Sequence, residues 1–468
     1  MAPRTDMLVD ADLAQRVLSR ALRSGGDFAE IFVEDRRSSG AVLDDGRVEE
    51  LASARDRGAG IRVLAGDTTG FAHTADLSEQ GLLSAAEAAA SVAGGGASGA
   101  VSLGDPGRAV AASVGRPGDS VPKEEKISLL TRADAAARAS GAAVVQVSVS
   151  YGDSRRRFLV ANSDGVLVTE DQVRTRMAVS VVAAGDTGRQ SGSESVAATA
   201  GFELFDTVDV DALATTAARR ALAKLSARPA PSGTVPVVLA AGSGGILFHE
   251  ACGHGLEADH VVKDTSVYRG RIGEQVAGSL VTLVDDGQVE SQWGTFLVDD
   301  EGHPASRNVL IDHGVLVDYL WDAKRARKQG RSSSGNGRRQ SYRHLPMVRM
   351  TNTFLVDGAD DPDEIVAQTP YGVYVAKLGG GQVNTTTGDF VFGTTEAYLI
   401  EDGHLTEPLR DANLIGNGPE ILTRIDAVAG DFAMTPGTCG KDGQNVPVGC
   451  GQPTVRISAV TVGGTAGG

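Results

Sequence analysis

Two histidines five residues apart, His249 and His254, constrain this chain more than any other feature. They lie in Phe248-His249-Glu250-Ala251-Cys252-Gly253-His254-Gly255-Leu256-Glu257-Ala258-Asp259. In the common zinc-peptidase helix, H-E-x-x-H, the histidines are four apart and share a face, and the glutamate beside the first acts as base. With a gap of five, at about 100° per residue, a regular α-helix would set the imidazoles roughly 140° apart, too far round to share an ion. The pattern H-E-x-x-x-H therefore predicts a bulged or broken helix, with a π-type wide turn as the simplest repair and Glu250 as general base. Gly253 and Gly255 tolerate such a distortion. The plainer reading is two ordinary histidines that happen to flank a glutamate.

Catalytic zinc usually takes three protein ligands and keeps one position open. Three residues compete for the third place. His260 lies six residues after His254, an interval also found between metal ligands in the metzincins, although Glu257 stands where their midway glycine would be. Cys252 falls inside the motif, where the backbone directs it away from an ion shared by its neighbours. Cys439 is remote, but Pro436-Gly437-Thr438-Cys439-Gly440-Lys441-Asp442-Gly443-Gln444 reads as a polar, glycine-rich loop able to carry a thiolate over the helix. Chemistry alone leaves Cys439 and His260 both open.

The 468 residues suffice for two or three domains. A net charge of -16 argues against general affinity for nucleic acid or anionic membrane. No apolar segment follows a basic start, and no uninterrupted apolar run is long enough to span a bilayer, so a cytoplasmic protein without a membrane segment is expected. The three cysteines, Cys252, Cys439 and Cys450, suit a reducing compartment.

Periodicity predicts a first helix through Leu13, Val17, Leu18, Ala21 and Leu22, then strands over Phe28 to Val33, Gly40 to Leu43, Val48 to Ala54, Gly60 to Leu64 and Thr69 to Thr74. A helix from Leu77 to about Val92 leads to a flexible joint at Ala93 to Gly99. Beyond a helix at Lys123 to Ala139 come strands at Ala143 to Tyr151, Arg157 to Ala161, Gly165 to Thr169 and Val173 to Ala184, then a helix capped by Asp209 or Asp211. Arg228-Pro229-Ala230-Pro231-Ser232-Gly233 is a stiff polar connector. The expected organisation is an α+β fold: an N-terminal domain, 1–228, of mixed sheet with packed helices, and a C-terminal, mainly antiparallel β domain, 229–468, carrying one catalytic helix. Val235 to Ala240 should be a strand leading into that helix, with hairpins at Asp286-Gly287, His313-Gly314 and Asp402-Gly403.

Two further segments suggest substrate contacts. The run Gly379-Gly380-Gly381-Gln382-Val383-Asn384 reads either as an open backbone edge onto which a peptide adds as a strand, through Gly380, Gly381 and Gln382, or as a tight hairpin. The segment from Lys324 to Arg343 holds eight basic residues and no acidic one. It reads first as a mobile, solvated loop and second as a clamp for a peptide carboxylate through Arg338 and Arg339; with only Tyr342 in the loop it lacks the aromatic interleaving of a nucleic-acid surface.

Together, Phe248 to Asp259, Gly379 to Asn384 with Gly388-Asp389-Phe390-Val391-Phe392, and Cys439 to Gln444 with Pro447-Val448-Gly449 resemble the TldD/PmbA family of metallopeptidases, in its TldD-type branch that carries H-E-x-x-x-H. The resemblance implies His249, His254 and Cys439 as ligands of Zn2+ and Glu250 as the catalytic glutamate. Cys450 stands where a small apolar residue is expected and so reads as a packed thiol. It further implies a heterodimer with a TldE/PmbA-like partner, and an enclosed site open to short or unfolded peptides, as in protein turnover or removal of leader peptides from peptide antibiotics. A different class, a non-catalytic assembly protein with a closed structural zinc site, would bind both Cys252 and Cys439.

Overall fold

The structure, a computed structural model, describes residues 7–92, 101–104, 107–108, 114–186, 188–384 and 386–464. The expected joint at Ala93 to Gly99 lies outside the described residues. The first part comprises α1 (Ala11–Ala21), β1 (Phe28–Asp44), β2 (Arg47–Ala65), β3 (Thr68–Thr74), α2 (Glu79–Val92), the short β4 (Gly107–Arg108), α3 (Lys123–Ala139), β5 (Val144–Asn162), β6 (Leu167–Gly185), β7 (Gly188–Ala198), α4 (Leu204–Thr207) and α5 (Val210–Ser226). Its strands form a single sheet in the order β3-β2-β1-β5-β6, with β4 and β7 both paired to β6.

Four of these strands are far longer than their apolar runs suggested: β1, β2, β5 and β6 hold 17, 19, 19 and 19 residues, about 60 Å at roughly 3.3 Å per residue. The polar stretches that seemed to divide them, such as Glu34-Asp35-Arg36-Arg37, continue the ladder in unbroken register from Glu30↔Asn162 to Asp44↔Ser148. Helices cover one face at its two ends. Helices α1 and α2 pack over Ile31, Val33, Ile61 and Val63, and α3 and α5 over Ala41, Leu43, Val147 and Val179. Glu30, Phe32 and Glu34 alternate to the other face, where Phe32 meets Val298 and Tyr342 from the second half of the chain.

The second part begins with β8 (Arg228–Pro229) and β9 (Gly233–Leu239), then α6 (Gly245–Ala251), a 3-10 turn (Gly253–Leu256) and α7 (Ala258–Val262). It continues through β10 (Leu283–Asp286), β11 (Arg307–Asp312), β12 (Val315–Leu316), α8 (Ala323–Lys328), β13 (Gly337–Arg338), β14 (Met347–Val348), β15 (Asn352–Leu355), α9 (Pro362–Ala367) and β16 (Tyr371–Val383). The last elements are β17 (Asp389–Glu401), β18 (His404–Arg410), β19 (Asn413–Asn417), α10 (Gly418–Thr423), β20 (Ile425–Val428), β21 (Ala433–Lys441), β22 (Gln444–Gln452) and β23 (Val455–Gly463). Strands β16, β9, β23, β19 and β17 close into a ring because β17 also pairs β16, and a second sheet runs β12-β11-β10-β15-β22-β21. Most pairs are antiparallel, with β9–β16, β15–β22 and β8–β18 parallel. No helix among the described residues is long and apolar enough to cross a membrane.

Two expectations are corrected. Asp286-Gly287 closes no hairpin: β10 pairs β11 across residues 287–306. His313-Gly314 and Asp402-Gly403 do form tight turns, with positive φ at all four residues. Nor is the basic segment a mobile loop. It contains α8 and β13, and acidic residues from elsewhere neutralise it: Asp164 binds Arg327, Asp67 binds Lys328, Asp318 binds Arg331 and Asp56 binds Arg343. Three of those four acids belong to the first sheet or its turns, so the segment fastens the two halves together.

A second fastening joins α5 to β17, where Glu396 accepts from Arg219 Nη1 at 2.6 Å and Arg220 Nε at 2.7 Å. Burial opposes ionisation of Glu396, but the bonds from Arg219 and Arg220 prevail and hold the carboxyl at about 2. A folded value below the ordinary 4.5 means stability that is present above that pH and lost as pH falls towards 2. Glu396→Gln should therefore cost about 2 kcal/mol at neutral pH, with the gap from wild type closing on acidification, as measured by urea unfolding at a series of pH values.

Candidate metal centre

Strand β9 ends at Leu239 in the core of the ring, and the chain turns sharply before α6. Ser243 Oγ donates to the Val375 carbonyl at 3.0 Å and the Gly244 N–H to Gln452 Oε1 at 3.2 Å, fixing that turn against the neighbouring strands. The helix then presses backbone to backbone on β22: a Cβ at Gly245 would lie 2.4 Å from the Cys450 carbonyl carbon.

Helix α6 lasts seven residues and stops at Cys252, whose φ of -122° and ψ of -49° leave the helical region. The chain resumes as a 3-10 turn carrying His254. The helix is thus broken; the π-type turn is not used. Gly253 matters for close approach, since a Cβ there would meet Met350 Sδ at 2.1 Å. Across the break the rings of His249 and His254 come within 5.2 Å of each other, centroid to centroid, at 84°.

Cys439 reaches them from β21. Its segment is the arm of a hairpin turning at Asp442-Gly443, with φ of 47° and 73°, so the predicted open loop is a paired strand. One ligand atom each from His249, His254 and Cys439 lie within 4.8 Å of one another, and all three residues are buried. Cys439 Sγ is 3.5 Å from His254 Nε2. Both ring nitrogens of His249 are buried with no hydrogen-bond partner, a costly arrangement unless something else engages them. Two imidazoles and a thiol form a donor set suited to zinc, and these orphaned nitrogens fit a cation held among the three.

Glu250 stands at the opening. Its Oε2 is 3.5 Å from His254 Nε2, and its side chain is 26% exposed against 6% for His254. The other candidates fall away from the pair. Cys252 packs against Tyr268, with its thiol pushed up to about 12 by burial. His260 Nδ1 lies 3.4 Å from Thr265 Oγ1, and His260 groups with Glu257 and Asp259. Cys450 is buried on β22, near enough to His249 to act on it electrostatically, as Cys439 does.

Two residues to which the sequence assigned no role in the site complete the arrangement. Glu257 Oε2 is 2.8 Å from His254 Nδ1, which directs Nε2 towards Cys439. Lys441 Nζ binds Glu257 at 2.8 Å, Asp259 at 2.7 Å and the Val348 carbonyl at 3.1 Å. Lys441 follows Cys439 by two residues on one strand, so both reach the same side. That spacing was the available signal once the segment is read as a strand.

Electrostatically the cluster is self-consistent. Burial opposes the Cys439 thiolate, but the charge of His249 and the charge and hydrogen bond of His254 bring it down to about 4. Burial likewise opposes a cationic His254, yet Glu257 and Cys439 raise it to about 9. Glu257 stays ionised against its burial through Lys441 and His254. A dication entering would displace the imidazole protons and find the thiolate already formed.

Gly380, Gly381 and Gln382 are exposed on β16, where Gly381 pairs with Phe392 and Gln382 with Val391 of β17. The hairpin reading therefore holds, while β9 meets β16 only at Val373 to Val375, so the far edge near Gly380 carries no strand among the described residues. Arg338 and Arg339 are turned inward. Arg338 donates to the carbonyls of Met350 at 2.6 Å and Pro447 at 2.7 Å, and Arg339 pairs with Glu30. Neither is displayed for a peptide at the surface.

The chain is similar to known proteins over most of its length. The chain matches PmbA/TldA metallopeptidase domain 1 over residues 29–93, the central domain over 116–225 and the C-terminal domain over 232–464. A metalloprotease TldD homolog of Haemophilus influenzae is 42% identical, covering 94% of this chain and 93% of the relative. A metalloprotease of Methanothermobacter thermautotrophicus is 35% identical over 98% and 100%, and a zinc metalloprotease TldD homolog of Saccharolobus solfataricus is 28% identical over 73% and 76%. In fold, a Thermotoga maritima protein described as a modulator of DNA gyrase superposes with a TM-score of 0.81 at 23% identity, covering 97% and 99%. TldE from Thermococcus kodakarensis superposes at 0.77 and 20%, covering 96% and 99%.

Proposed function

The chain belongs to the TldD/PmbA family of metallopeptidases, and from that premise we propose that it is a zinc-dependent peptidase acting on short or unfolded polypeptides together with a TldE/PmbA-like partner subunit. The observation that carries this reading is the meeting of His249, His254 and Cys439 with ligand atoms within 4.8 Å, beside a glutamate that alone reaches towards solvent.

In this reading His249, His254 and Cys439 hold the metal. A zinc ion there supplies Lewis acidity towards water and the scissile carbonyl. Glu250 accepts the proton of the attacking water and returns it to the departing amine. Glu257 keeps the His254 proton on Nδ1, and Lys441 keeps Glu257 ionised. The exposed edge at Gly380 to Gln382 takes an extended peptide by backbone hydrogen bonds, which reads no side chain and leaves selectivity to unfoldedness. A cytoplasmic setting suits the three free, buried cysteines.

The competing reading, a closed structural site with a fourth protein ligand, gains nothing from Cys252, which faces Tyr268. Metal analysis paired with hydrolysis of an unfolded polypeptide and its folded counterpart, with and without a co-expressed TldE-like chain, separates the two. We expect a single bound zinc and cleavage of the unfolded substrate only, rising sharply with the partner. Full metal occupancy with every unfolded substrate left intact beside the partner would end the peptidase reading.

A further inference from the structure

Between the first sheet and the second half of the chain lies a cavity of about 70 Å3, walled by Arg36, Arg156, Arg174, Arg338 and Arg339 and by the carboxylates of Asp299 and Asp300. Three of the arginines are neutralised. Glu34 lies 3.1 Å from Arg36 and 2.7 Å from Arg156, Asp300 is 2.7 Å from Arg156, and Glu30 pairs with Arg339. Arg174 and Arg338 are different, because every hydrogen-bond partner they have is a neutral oxygen. Arg174 donates to the carbonyls of Trp293 at 3.1 Å and Thr295 at 2.9 Å and to Gln172 Oε1 at 2.8 Å; Arg338 binds only the Met350 and Pro447 carbonyls. The two are 7% and 4% exposed.

Two buried guanidinium groups share one cavity with no carboxylate hydrogen-bonded to either, which is unfavourable; Asp300 acts on Arg338 and Glu170 on Arg174 only through charge. The strain registers in their titration. Burial, then the charges of Arg338 and Arg156, lowers Arg174 to about 9, and burial lowers Arg338 to about 10. Asp299 offers little relief, since burial and the neighbouring Glu301 push its carboxyl well up.

We infer that this cavity binds one small oxyanion, a phosphate or a carboxylate, between Arg174 and Arg338. Guanidinium forks match both anions in geometry and charge. At roughly 10–15 Å3 per water-sized position, the volume suits one such group. The half-exposed Arg36 and the exposed Asn445 stand at its rim and give a way in. Val446 and Pro447 also line it, and they pair with Cys439 and Thr438 across the hairpin. An anion there sits against β22, the strand paired to the one that carries Cys439. Its source is either a free ion or the end of a polypeptide chain, and the site stands whether or not the chain is a peptidase.

The test is thermal unfolding of the full chain titrated with potassium phosphate against potassium chloride at matched ionic strength. Parallel titrations use one short peptide with a free C-terminal carboxylate and the same peptide amidated. The expected result is a saturable upward shift with phosphate beyond that of chloride, and apparent affinity weakened about tenfold or more in Arg338→Gln and Arg174→Gln. Because Arg174 also holds two loop carbonyls, Arg174→Lys keeps its charge and guards against simple misfolding; it should fold and still lose affinity. Arg331→Gln, on the surface, should match wild type. A shift with the free peptide but not the amide assigns the anion to a chain terminus, and phosphate alone assigns it to a free ion. Equal shifts in phosphate and chloride, or phosphate shifts unchanged in all the cavity variants, would overturn the site.

Discussion

Glu250→Gln should lower peptide hydrolysis by about a thousandfold, within the range a positioned general base provides, and leave bound zinc unchanged. Glutamine keeps the shape and the polarity of the side chain but cannot accept a proton at neutral pH. The position makes the two effects separable. Glu250 adjoins the first histidine in sequence, its Oε2 is 3.5 Å from His254 Nε2, and it is the part of the cluster open to solvent. It is absent from the group of atoms that would hold the ion. Metal content by elemental analysis and kcat on an unfolded polypeptide, measured on one preparation, check both halves of the expectation. A variant that loses its zinc would make Glu250 a ligand, and one that cleaves at the wild-type rate would remove it from the chemistry.

The histidine pair was legible because its spacing is a local matter. A gap of five does not fit a straight helix, and the structure resolves the mismatch by ending α6 at Cys252 and restarting as a 3-10 turn. Which distortion would be chosen was not legible, because Met350 against Gly253 and the Cys450 backbone against Gly245 decide it, and both contacts come from remote strands. The strand lengths failed for a related reason. Periodicity reports burial against an apolar core, whereas the polar stretches of β1 and β5 meet polar partners in the second half of the chain: Arg36 donates to the Gln340 carbonyl, Glu34 accepts from the Tyr342 N–H, and Arg156 pairs with Asp300. The same blindness made Lys324 to Arg343 look like a free basic loop. Its counter-ions, Asp67 and Asp164, stand more than a hundred residues away in the chain. Glu257 and Lys441 escaped notice because their role exists only once β21 is laid beside the 3-10 turn.

Cys439→Ala should abolish tight zinc binding, costing more than about a hundredfold in affinity, since even residues that merely orient a ligand are worth 10 to 100-fold. Cys450→Val should bind zinc as wild type does. The pair of variants is needed because both thiols act on His249, so a single cysteine variant would not distinguish a ligand from a neighbour. Geometry separates them. Cys439 has its sulfur 3.5 Å from His254 Nε2 as well, which places it against both imidazoles, while Cys450 does not join the three-atom group and packs with Val446 and Val448. Valine at 450 keeps a small apolar contact with those two, so the hairpin should stay in register. Competition with a chromophoric chelator gives the affinities directly, and EDTA should lower the unfolding temperature of wild type and Cys450→Val but leave Cys439→Ala unmoved. The reverse pattern, zinc lost from Cys450→Val and kept by Cys439→Ala, would move the third ligand to β22 and require α6 to face the other arm of the hairpin.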